Sequence, residues 1–423
     1  MSAKRNVTAG LLGLGKVGKN VLLQCSREDH HFRISWVADS KRILTKRQRT
    51  PFSKTDAEKI LEIRDVAKEE SQEREYEKRI YGCRVHSFED HATEISIIHE
   101  LMSETLQATI ILDATSSGAH ENYGVAKNVM GCLAYCTGNK MPWADYELCS
   151  LLYREARRRA TLLGLNCTLG VWVDQMEVLP ILTRALKSGS VEFLKRDNSS
   201  FNFFFAKVGS GMAVDRAIAE IGASGHLEKI GPDALLTEVK DQTLKARIAA
   251  NICAVMRGKA PPIERKSTSK IRSPPTPDSV DPVEVARWHL EGRKRGKYPA
   301  LVSEVNVNAT GPRWEVGFRE LPFGHPLARD FPGRCAIFAR PTQDAKFTWS
   351  GDRSRKPSKG FAYSGYGGAV RTAAKLLWEA ERAISLSQLS LGEECFPIPV
   401  LCSLAAGRRE AIVLQRRLAR SLA

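Results

Sequence analysis

The sequence has no long hydrophobic run. None of its 423 residues lies in an uninterrupted apolar stretch of about eighteen residues, the length that a helix needs to cross a bilayer. Only six residues precede the first apolar segment, too few for the charged and apolar regions of a signal peptide. We therefore expect a cytoplasmic protein with no membrane partner.

Paired cysteines are also lacking. The ten cysteines are scattered, and most stand in apolar segments, which is typical of reduced thiols in the core of a cytosolic protein. Cys132 and Cys136 are four residues apart, but no second pair of ligands accompanies them. The sequence therefore predicts no disulfide framework, no zinc site and no other metal centre.

The formal net charge of +16 comes without the pattern that usually accompanies nucleic-acid binding. No basic stripe is interleaved with aromatic residues, and much of the excess lies in charged segments and in the C-terminal tail. We expect solvated basic faces and no nucleic-acid partner, while a positive field would still attract an anionic cofactor.

Strands and helices alternate through the first 160 residues. Strands are predicted at 7–14, 32–38, 109–114 and 132–136, and helices at 57–80, 92–102, 119–129 and 144–160. This order predicts a parallel sheet covered on both faces. The stretch 41–81 is dense in Lys, Arg and Glu, and we interpret it as a charged, exposed insertion.

The rest of the chain mixes both kinds of element. We predict a strand at 163–169, a strand pair or one long strand at 192–205, and helices at 178–186, 214–224, 241–256, 282–292 and 369–384. The proline-rich stretch 258–281 is predicted to be a loop. Short alternating segments at 301–307, 313–319 and 334–338 predict a small antiparallel patch.

A glycine-rich turn stands between the first predicted strand and the first predicted helix. Gly13, Gly15 and Gly18 fit the pattern G-x-G-x-x-G, with Lys16 and Val17 between the last two glycines. The first glycine allows a tight turn, the second lets the backbone approach a pyrophosphate, and the third lets the helix pack close to the strand. The helix N-terminus then faces the phosphates, so these five residues predict a nicotinamide dinucleotide site.

The end of the second strand gives conflicting signals about the cofactor. Asp39 stands where an acid binds the ribose 2′-hydroxyl of NAD, whereas Ser40, Lys41 and Arg42 suit the 2′-phosphate of NADP. Two cations outweigh one carboxylate near a dianion, so we predict NADP, with NAD as the alternative. An ordinary charged strand end without a cofactor contact is the remaining interpretation.

Seven further sequence blocks occur in the order found in one enzyme family. Three of them are a T-x-N-K motif at Thr137–Lys140, a D-x-x-x-K motif at Asp241–Lys245 and an H-P-L-A segment at His325–Ala328. The other four are Asp113–Ser117, Asn198–Phe203, Gly225–Glu228 and Gly365–Ala373. With these blocks, the chain resembles homoserine dehydrogenase from Ala9 to about Ile384.

The resemblance implies an enzyme, usually a homodimer, that reversibly reduces aspartate 4-semialdehyde to homoserine with NAD(P)H in threonine and methionine biosynthesis. The implied fold class is α/β, a Rossmann dinucleotide-binding domain plus an α+β catalytic and dimerisation domain. The implied bounds are 1–152 for the Rossmann domain, completed by 356–390; 153–300 for the catalytic substrate domain, with the loop 258–281; 301–355 for the dimerisation region; and 391–423 for a basic tail. That tail is too short for the regulatory domain that many relatives carry.

For the chemistry, the resemblance implies Lys245 as the first candidate for proton transfer and Lys140 as the second. Hydride delivery to an aldehyde places negative charge on its oxygen, and an ammonium group can stabilise that charge and supply the proton. Asp241 and Lys245 are four residues apart and share one helix face; from spacing alone, a surface ion pair is the alternative. The candidates for binding the substrate are Glu228, Asp241, Ser200 and His226, and the further cofactor contacts are Thr115, Ser116, Lys140 and Gly365.

The resemblance breaks between Asn166 and Asp174. The family has a glycine-rich segment here, of which only Gly170 clearly survives. Asn166 replaces a carboxylate that helps to hold a monovalent cation in relatives, and Trp172 replaces a small residue near the substrate. Three hypotheses follow: a divergent homoserine dehydrogenase, a paralogue that acts on another amino-aldehyde or amino-alcohol, and a non-catalytic cofactor-binding protein. The retained lysines and acids disfavour the third.

Overall fold

The structure of the chain is a computed structural model. It describes residues 7–27, 30–46, 50–66, 69–102, 109–169, 191–196, 198–224, 226–227, 231, 233–256, 258, 261–264, 280–308, 311–325, 327–330, 336–341, 347–349 and 368–387.

The described residues form strands and helices in the following order. The strands are β1 (Val7–Leu12), β2 (Phe32–Ala38), β3 (Arg42–Lys46), β4 (Cys83–Ser87), β5 (Thr109–Asp113), β6 (Ala134–Thr137), β7 (Leu162–Gly164), β8 (Val191–Arg196), β9 (Ile263–Glu264), β10 (Lys297–Asn308), β11 (Gly311–Pro322), β12 (Ala336–Pro341) and β13 (Phe347–Trp349). The helices are α1 (Lys16–Arg27), α2 (Lys54–Val66), α3 (Glu69–Arg79), α4 (His91–Met102), α5 (Ala119–Val129), α6 (Met141–Ala144), α7 (Tyr146–Arg158), α8 (Asn166–Leu169), α9 (Ser199–Gly209), α10 (Val214–Ala223), α11 (Ala234–Met256), α12 (Pro282–Lys294) and α13 (Gly368–Ser387).

These elements fall into two units. The first contains the described residues of 1–142, of 147–168 and from 372 onwards, and the second contains those of 143–146 and 169–371. The first unit is built on a seven-stranded sheet in the order β4-β3-β2-β1-β5-β6-β7. Strands β2, β1, β5, β6 and β7 run parallel, and β3 and β4 are antiparallel at one edge. The predicted α/β class is confirmed.

The charged stretch 41–81 belongs to the core of the first unit, so the interpretation as an exposed insertion is wrong. Strand β3 pairs with β2, and Phe52, Ile60, Tyr76 and Ile80 are buried in the same apolar cluster as β1. One apolar side chain per turn is enough to anchor a helix whose other faces are charged. A high density of charge along the sequence therefore did not mean that the whole segment faces solvent.

Two predicted strands are shorter in the structure because a helix follows each of them. Strand β8 ends at Arg196, and α9 begins at Ser199. The Asn198 side chain accepts a hydrogen bond from Phe201 N at 2.8 Å, an N-cap that outweighs the strand propensity of the phenylalanines that follow. Similarly, β7 ends at Gly164, and Asn166–Leu169 forms α8. The predicted helix at 178–186 lies outside the described residues.

The second unit contains a six-stranded sheet in the order β13-β12-β8-β10-β11-β9. Its neighbouring strands are antiparallel except for β11 and β9. The predicted antiparallel patch is confirmed, with longer strands. Residues of α9, α11 and α12 pack with Leu301 of β10 and Phe318 of β11 in one apolar core. This packing fixes α9 and the first turns of α11 against the sheet.

The described cysteines are free and buried: Cys25, Cys83, Cys132, Cys136, Cys149, Cys167 and Cys253. Burial raises the pKa of Cys132 to about 12, so this thiol stays protonated and unreactive. The expectation that the cysteines lie in the core is confirmed for these seven. In the part of the chain that the structure describes, no helix is long and apolar enough to span a membrane.

Candidate functional site

The glycine turn has the geometry that its sequence predicts. Gly13 has a φ of +83°, a conformation that side chains with a Cβ rarely adopt, and its N–H donates to Ala38 O at 2.8 Å. A Cβ on Gly18 would overlap the carbonyl oxygen of Gly13, whereas a Cβ on Gly15 would meet nothing within 4 Å. The third glycine is therefore needed for packing, and the second borders open space at the N-terminus of α1, which begins at Lys16.

Three residues at the end of β2, Ser40, Lys41 and Arg42, were predicted to bind the 2′-phosphate of NADP, and only two of them are exposed to solvent. Asp39 Oδ1 accepts hydrogen bonds from the backbone N–H groups of Lys41 and Arg42, each at 2.8 Å. The Arg42 side chain is buried and donates to Gln72, while Ser40 and Lys41 are exposed. The carboxylate of Asp39 thus shapes the turn that displays Ser40 and Lys41.

A buried carboxylate joins the ends of β5 and β6. Asp113 is 0% exposed and accepts hydrogen bonds from Thr115 N (2.9 Å), Thr115 Oγ1 (2.6 Å), Asn122 Nδ2 (2.9 Å), Tyr135 Oη (2.5 Å) and Thr137 Oγ1 (2.9 Å). Burial and the charge of Asp113 raise the pKa of Tyr135 well above its usual range, which keeps the phenol a donor. Five donors around one carboxylate fix three segments to each other.

The predicted T-x-N-K motif is tied to the strand end that carries Thr115. Asn139 donates from Nδ2 to Thr115 Oγ1 and to Ser117 O, both at 3.1 Å, and its Oδ1 accepts from Met141 N at 2.9 Å. The next residue, Lys140, is half-buried. The structure therefore brings two of the predicted cofactor-lining blocks together, and the neighbouring Ser116 is exposed beside them.

The second unit contains a cluster of ionisable side chains on α11. Lys245 Nζ forms an ion pair with Asp241 Oδ2, and Lys245 is only 9% exposed. Glu238, one turn before Asp241, is also buried, and burial together with the charge of Asp241 raises its pKa. The predicted pairing of Asp241 with Lys245 is observed, with Lys245 buried and Asp241 half-buried, so it is not a fully solvated surface contact.

Helix α9 supplies the polar groups that face this cluster. Asn198 Nδ2 donates to Glu238 Oε2 at 2.9 Å and to Glu238 O at 3.0 Å. Ser200 Oγ donates to His226 O at 2.6 Å, and Ser224 Oγ lies 2.8 Å from His226 Nδ1. Ser200 and His226 are therefore in contact with each other, as two neighbouring predicted substrate residues would be.

The other predicted site residues either lie in different units of the fold or fall outside the described residues. Lys140 lies in the first unit and Lys245 in the second. Glu228 and Gly365 lie outside the described residues, as does the altered loop beyond Leu169. Across the described ranges, no group of three or more His, Cys, Asp or Glu side chains is arranged to hold a metal ion.

Sequence reasoning missed the roles of three polar residues, Asp113 in the first unit and Asn198 and Glu238 in the second. Asp113 and Asn198 belong to blocks that the sequence singled out, but the role of all three depends on a partner elsewhere in the chain. An asparagine directly before a helix is a recognisable N-cap signal, and it would have identified Asn198. The contact between Asn198 and Glu238 spans 40 residues, and no local pattern announces it.

Comparison with known proteins identifies the fold. No family model and no curated protein matches the sequence. Among solved structures, the chain is similar to a hyperthermophilic archaeal homoserine dehydrogenase in complex with NADPH, with 19% identity, a TM-score of 0.54, and coverage of 90% of this chain and 98% of that one. It is also similar to the homoserine dehydrogenase of Thermoplasma acidophilum (16% identity, TM-score 0.55, coverage 91% and 100%) and to a Candida auris protein of unknown function (14%, 0.57, 90% and 98%).

These similarities extend over nine-tenths of the chain and include both units. The chain therefore has the fold of the homoserine dehydrogenases, and the fold that the resemblance implied is confirmed.

Proposed function

We propose that this protein is an NADP-dependent oxidoreductase that reversibly interconverts L-homoserine and L-aspartate 4-semialdehyde. The observation that carries the proposal is the ion pair of the buried Lys245 with the half-buried Asp241, in a chain whose other unit has an open glycine turn at a helix N-terminus. The fold shared with homoserine dehydrogenases supports it. An acid–base lysine and a dinucleotide site are the two components that carbonyl reduction requires.

The residues of the first unit fit the cofactor. The open space at Gly15 suits a pyrophosphate at the N-terminus of α1, where backbone N–H groups and the helix dipole favour an anion. The exposed Ser40 and Lys41 are the groups that we assign to the 2′-phosphate of NADP. We assign Thr115 and Ser116 to the nicotinamide ribose. NAD remains the alternative until the two cofactors are compared.

In the proposed reaction, the reduced nicotinamide, when bound, supplies a hydride to the carbonyl carbon of the aldehyde. Lys245 gives a proton to the carbonyl oxygen as negative charge develops there and becomes a neutral amine. In the reverse direction the neutral amine takes the hydroxyl proton. Asp241 orients Lys245, and Lys140 is the second candidate for the proton transfer.

The test is an absorbance assay of the purified protein with homoserine and NADP, and with aspartate 4-semialdehyde and NADPH. We expect saturable turnover, a loss of at least about a hundredfold in kcat for Lys245→Ala, and an unchanged KM for NADP. Lys240→Ala is the matched control, because Lys240 is an exposed lysine on the same helix. Near-full activity of Lys245→Ala would refute the assignment of the proton donor.

The second candidate is a paralogue that acts on another amino-alcohol or amino-aldehyde. The short helix α8 at the start of the altered segment favours it, because the departures from the family sequence begin there. Turnover of a different amino-alcohol, with none of homoserine, would select this candidate. Cofactor binding without turnover of any amino-alcohol would select the non-catalytic alternative.

We also propose that the protein is a cytoplasmic homodimer. The free, buried thiols support a reducing compartment. The residues at 301–355 are the candidate dimerisation region. Light scattering on the purified protein should give the mass of two chains, and a monomer would refute the dimer.

A further inference from the structure

The glycine turn and the end of β5 lie against each other. A Cβ on Gly13 would come within 2.9 Å of Thr115 N and 3.0 Å of Ala114 O, so the two backbone segments pack closely. In the sheet, β1 stands between β2 and β5. A dinucleotide whose pyrophosphate lies on the turn after β1, and whose adenosine ribose lies at the end of β2, therefore extends its nicotinamide half over the end of β5.

The two carboxylate oxygens of Asp113 serve different segments at this edge of the sheet. Oδ1 accepts both hydrogen bonds from Thr115, at 2.9 Å from its N and at 2.6 Å from its Oγ1. Oδ2 accepts from Thr137 Oγ1 at 2.9 Å, and also from Tyr135 Oη and Asn122 Nδ2. One buried carboxylate thus fixes the segment after β5 through one oxygen and the end of β6 through the other.

Asn139 extends this network to the lysine beside it. Its backbone N donates to Thr137 Oγ1 at 2.9 Å, its Nδ2 donates to Thr115 Oγ1 at 3.1 Å, and its Oδ1 accepts from Met141 N at 2.9 Å. The backbone on both sides of Lys140 is therefore held by one asparagine, which is itself held by the two threonine hydroxyls that bind the buried carboxylate. Because Asn139 is only 3% exposed, these hydrogen bonds are protected from water.

The network requires a carboxylate at position 113. All five groups that bind Asp113 act as donors, and an ionised carboxylate is a side chain that only accepts. An amide of the same shape would turn an NH2 group towards some of these donors. The backbone N–H of Thr115 cannot become an acceptor by rotation, so Asp113→Asn keeps the shape of the side chain but disrupts the network.

We propose that Asp113 is a positioning residue for the nicotinamide half of the cofactor, which it acts on through Thr115 and Asn139. The inference rests on the cofactor of the proposed function. Asp113 is 0% exposed, so it does not touch the cofactor itself. It fixes the backbone that presents Ser116 to the nicotinamide ribose and Lys140 to the reacting carbonyl group.

The two halves of the cofactor should depend on this network to different extents. The adenosine half is assigned to Ser40 and Lys41, at the end of β2, and β2 is two strands away from β5. We therefore expect the binding of the adenosine half to be independent of Asp113, whereas the binding of the nicotinamide half depends on it. This difference separates a positioning role from a general contribution to stability.

The test compares NADPH with adenosine 2′,5′-bisphosphate, which is the adenosine half of NADP without the nicotinamide. Dissociation constants are measured by calorimetry for the wild type and Asp113→Asn, at a temperature where circular dichroism shows both proteins to be folded. We expect NADPH binding to weaken at least about tenfold and binding of the bisphosphate to change less than about twofold. A merely structural defect would weaken the binding of both ligands.

Three threonine variants keep the test decisive if Asp113→Asn fails to fold. Thr137→Val removes a single donor to Asp113 and the acceptor of Asn139 N, and it should weaken NADPH binding at least about threefold. Thr137→Ser keeps the hydroxyl and should bind NADPH like the wild type. Thr109→Val is the matched control, because Thr109 is a buried threonine at the other end of β5, and it should leave both dissociation constants unchanged.

The outcomes also distinguish this inference from the proposed function. Turnover of homoserine by the wild type tests the function, whereas the difference between the two ligands tests Asp113 without any reaction. Selective weakening of NADPH binding in a protein that does not turn over homoserine would refute the function and support the positioning role. Equal weakening of both ligands, no weakening in either Asp113→Asn or Thr137→Val, the same loss in Thr109→Val, or no binding of NADPH by the wild type would overturn the inference.

Discussion

The guanidinium group of Arg42 donates a hydrogen bond to Gln72 on α3. The same group lies 3.8 Å from Asp39 Oδ2 and 3.7 Å from Glu73 Oε1, and Arg42 is only 6% exposed. The end of β2 therefore offers a cofactor fewer exposed cations than its sequence suggests. Lys41 is the exposed cation of the predicted set, and Arg42 supports the turn that displays it.

Lys41→Ala should raise the KM for NADP about tenfold and change the KM for NAD little, because only NADP carries the 2′-phosphate that the ammonium group attracts. Arg42→Ala should mainly lower the free energy of unfolding, since it removes the buried hydrogen bond from Arg42 to Gln72. Lys78→Ala, at an exposed lysine on α3, is the control. A clear preference of the wild-type enzyme for NAD would defeat the assignment.

Asp113→Ala should lower the free energy of unfolding by roughly 3–5 kcal/mol in urea titrations. The change removes the acceptor that Tyr135 and Thr137 share and one of the two acceptors of Asn122 Nδ2. Asp90→Ala is the comparison: Asp90 is exposed and accepts from Thr93 N at the start of α4, so its loss should cost only about 1 kcal/mol. An equal loss in the free energy of unfolding for the two variants would contradict the importance of the buried hydrogen-bond network around Asp113.

Gln242→Met should stabilise the free protein by about 1–2 kcal/mol, because an apolar side chain of similar length removes a buried amide that has no hydrogen-bond partner among the residues that the structure describes. Thermal unfolding of the wild-type protein and the variant checks this effect. A destabilised variant would mean that the amide has a structural role in the free protein.

The stability of α7 should depend on pH through Glu155. Its hydrogen bonds to Arg158, at 2.9 and 2.6 Å, and its ion pair with Arg159 lower the pKa of Glu155 to about 2 from an ordinary value of 4.5. Because the folded-state pKa is depressed, the contribution is complete above about 4.5 and is lost as the pH falls towards 2. The free energies of unfolding of the wild type and Glu155→Gln, measured in urea, should therefore differ at pH 7 and converge near pH 2. If the difference between the two proteins stayed the same at every pH, the contribution of the Glu155 carboxylate would be refuted.

Local patterns predicted much of the fold. The bounds of β2 and α5 are those expected, because each is a regular segment with turn residues on both sides. The burial of Phe52 and Tyr76 was not predictable from the charged stretch around them, because burial depends on what covers a side chain and not on its neighbours in sequence. The strand expected up to residue 205 was a helix, because the N-cap at Asn198 was overlooked.

The candidate site was predictable where its residues are close in sequence. The pairing of Asp241 with Lys245 follows from helical spacing, and the proximity of Gly13 and Gly18 follows from the turn. The burial of Glu238 did not follow, since the burial of a carboxylate is a tertiary property. The place of Glu228 and Gly365 in the site stays a prediction from the resemblance.

The sequence by itself determined the features that short-range sterics and periodicity control: the positive φ of Gly13, the start of α1 after it, and the shared face of Asp241 and Lys245. Only the tertiary structure decided that Arg42 turns to Gln72 and that Asn198 holds Glu238. These contacts join residues 30 and 40 positions apart, and such distant side chains meet only where the packing of helices and sheets brings their segments together. The glycine turn could thus be predicted from a short stretch of sequence, whereas the contacts of Arg42 and Glu238 depend on the folded chain.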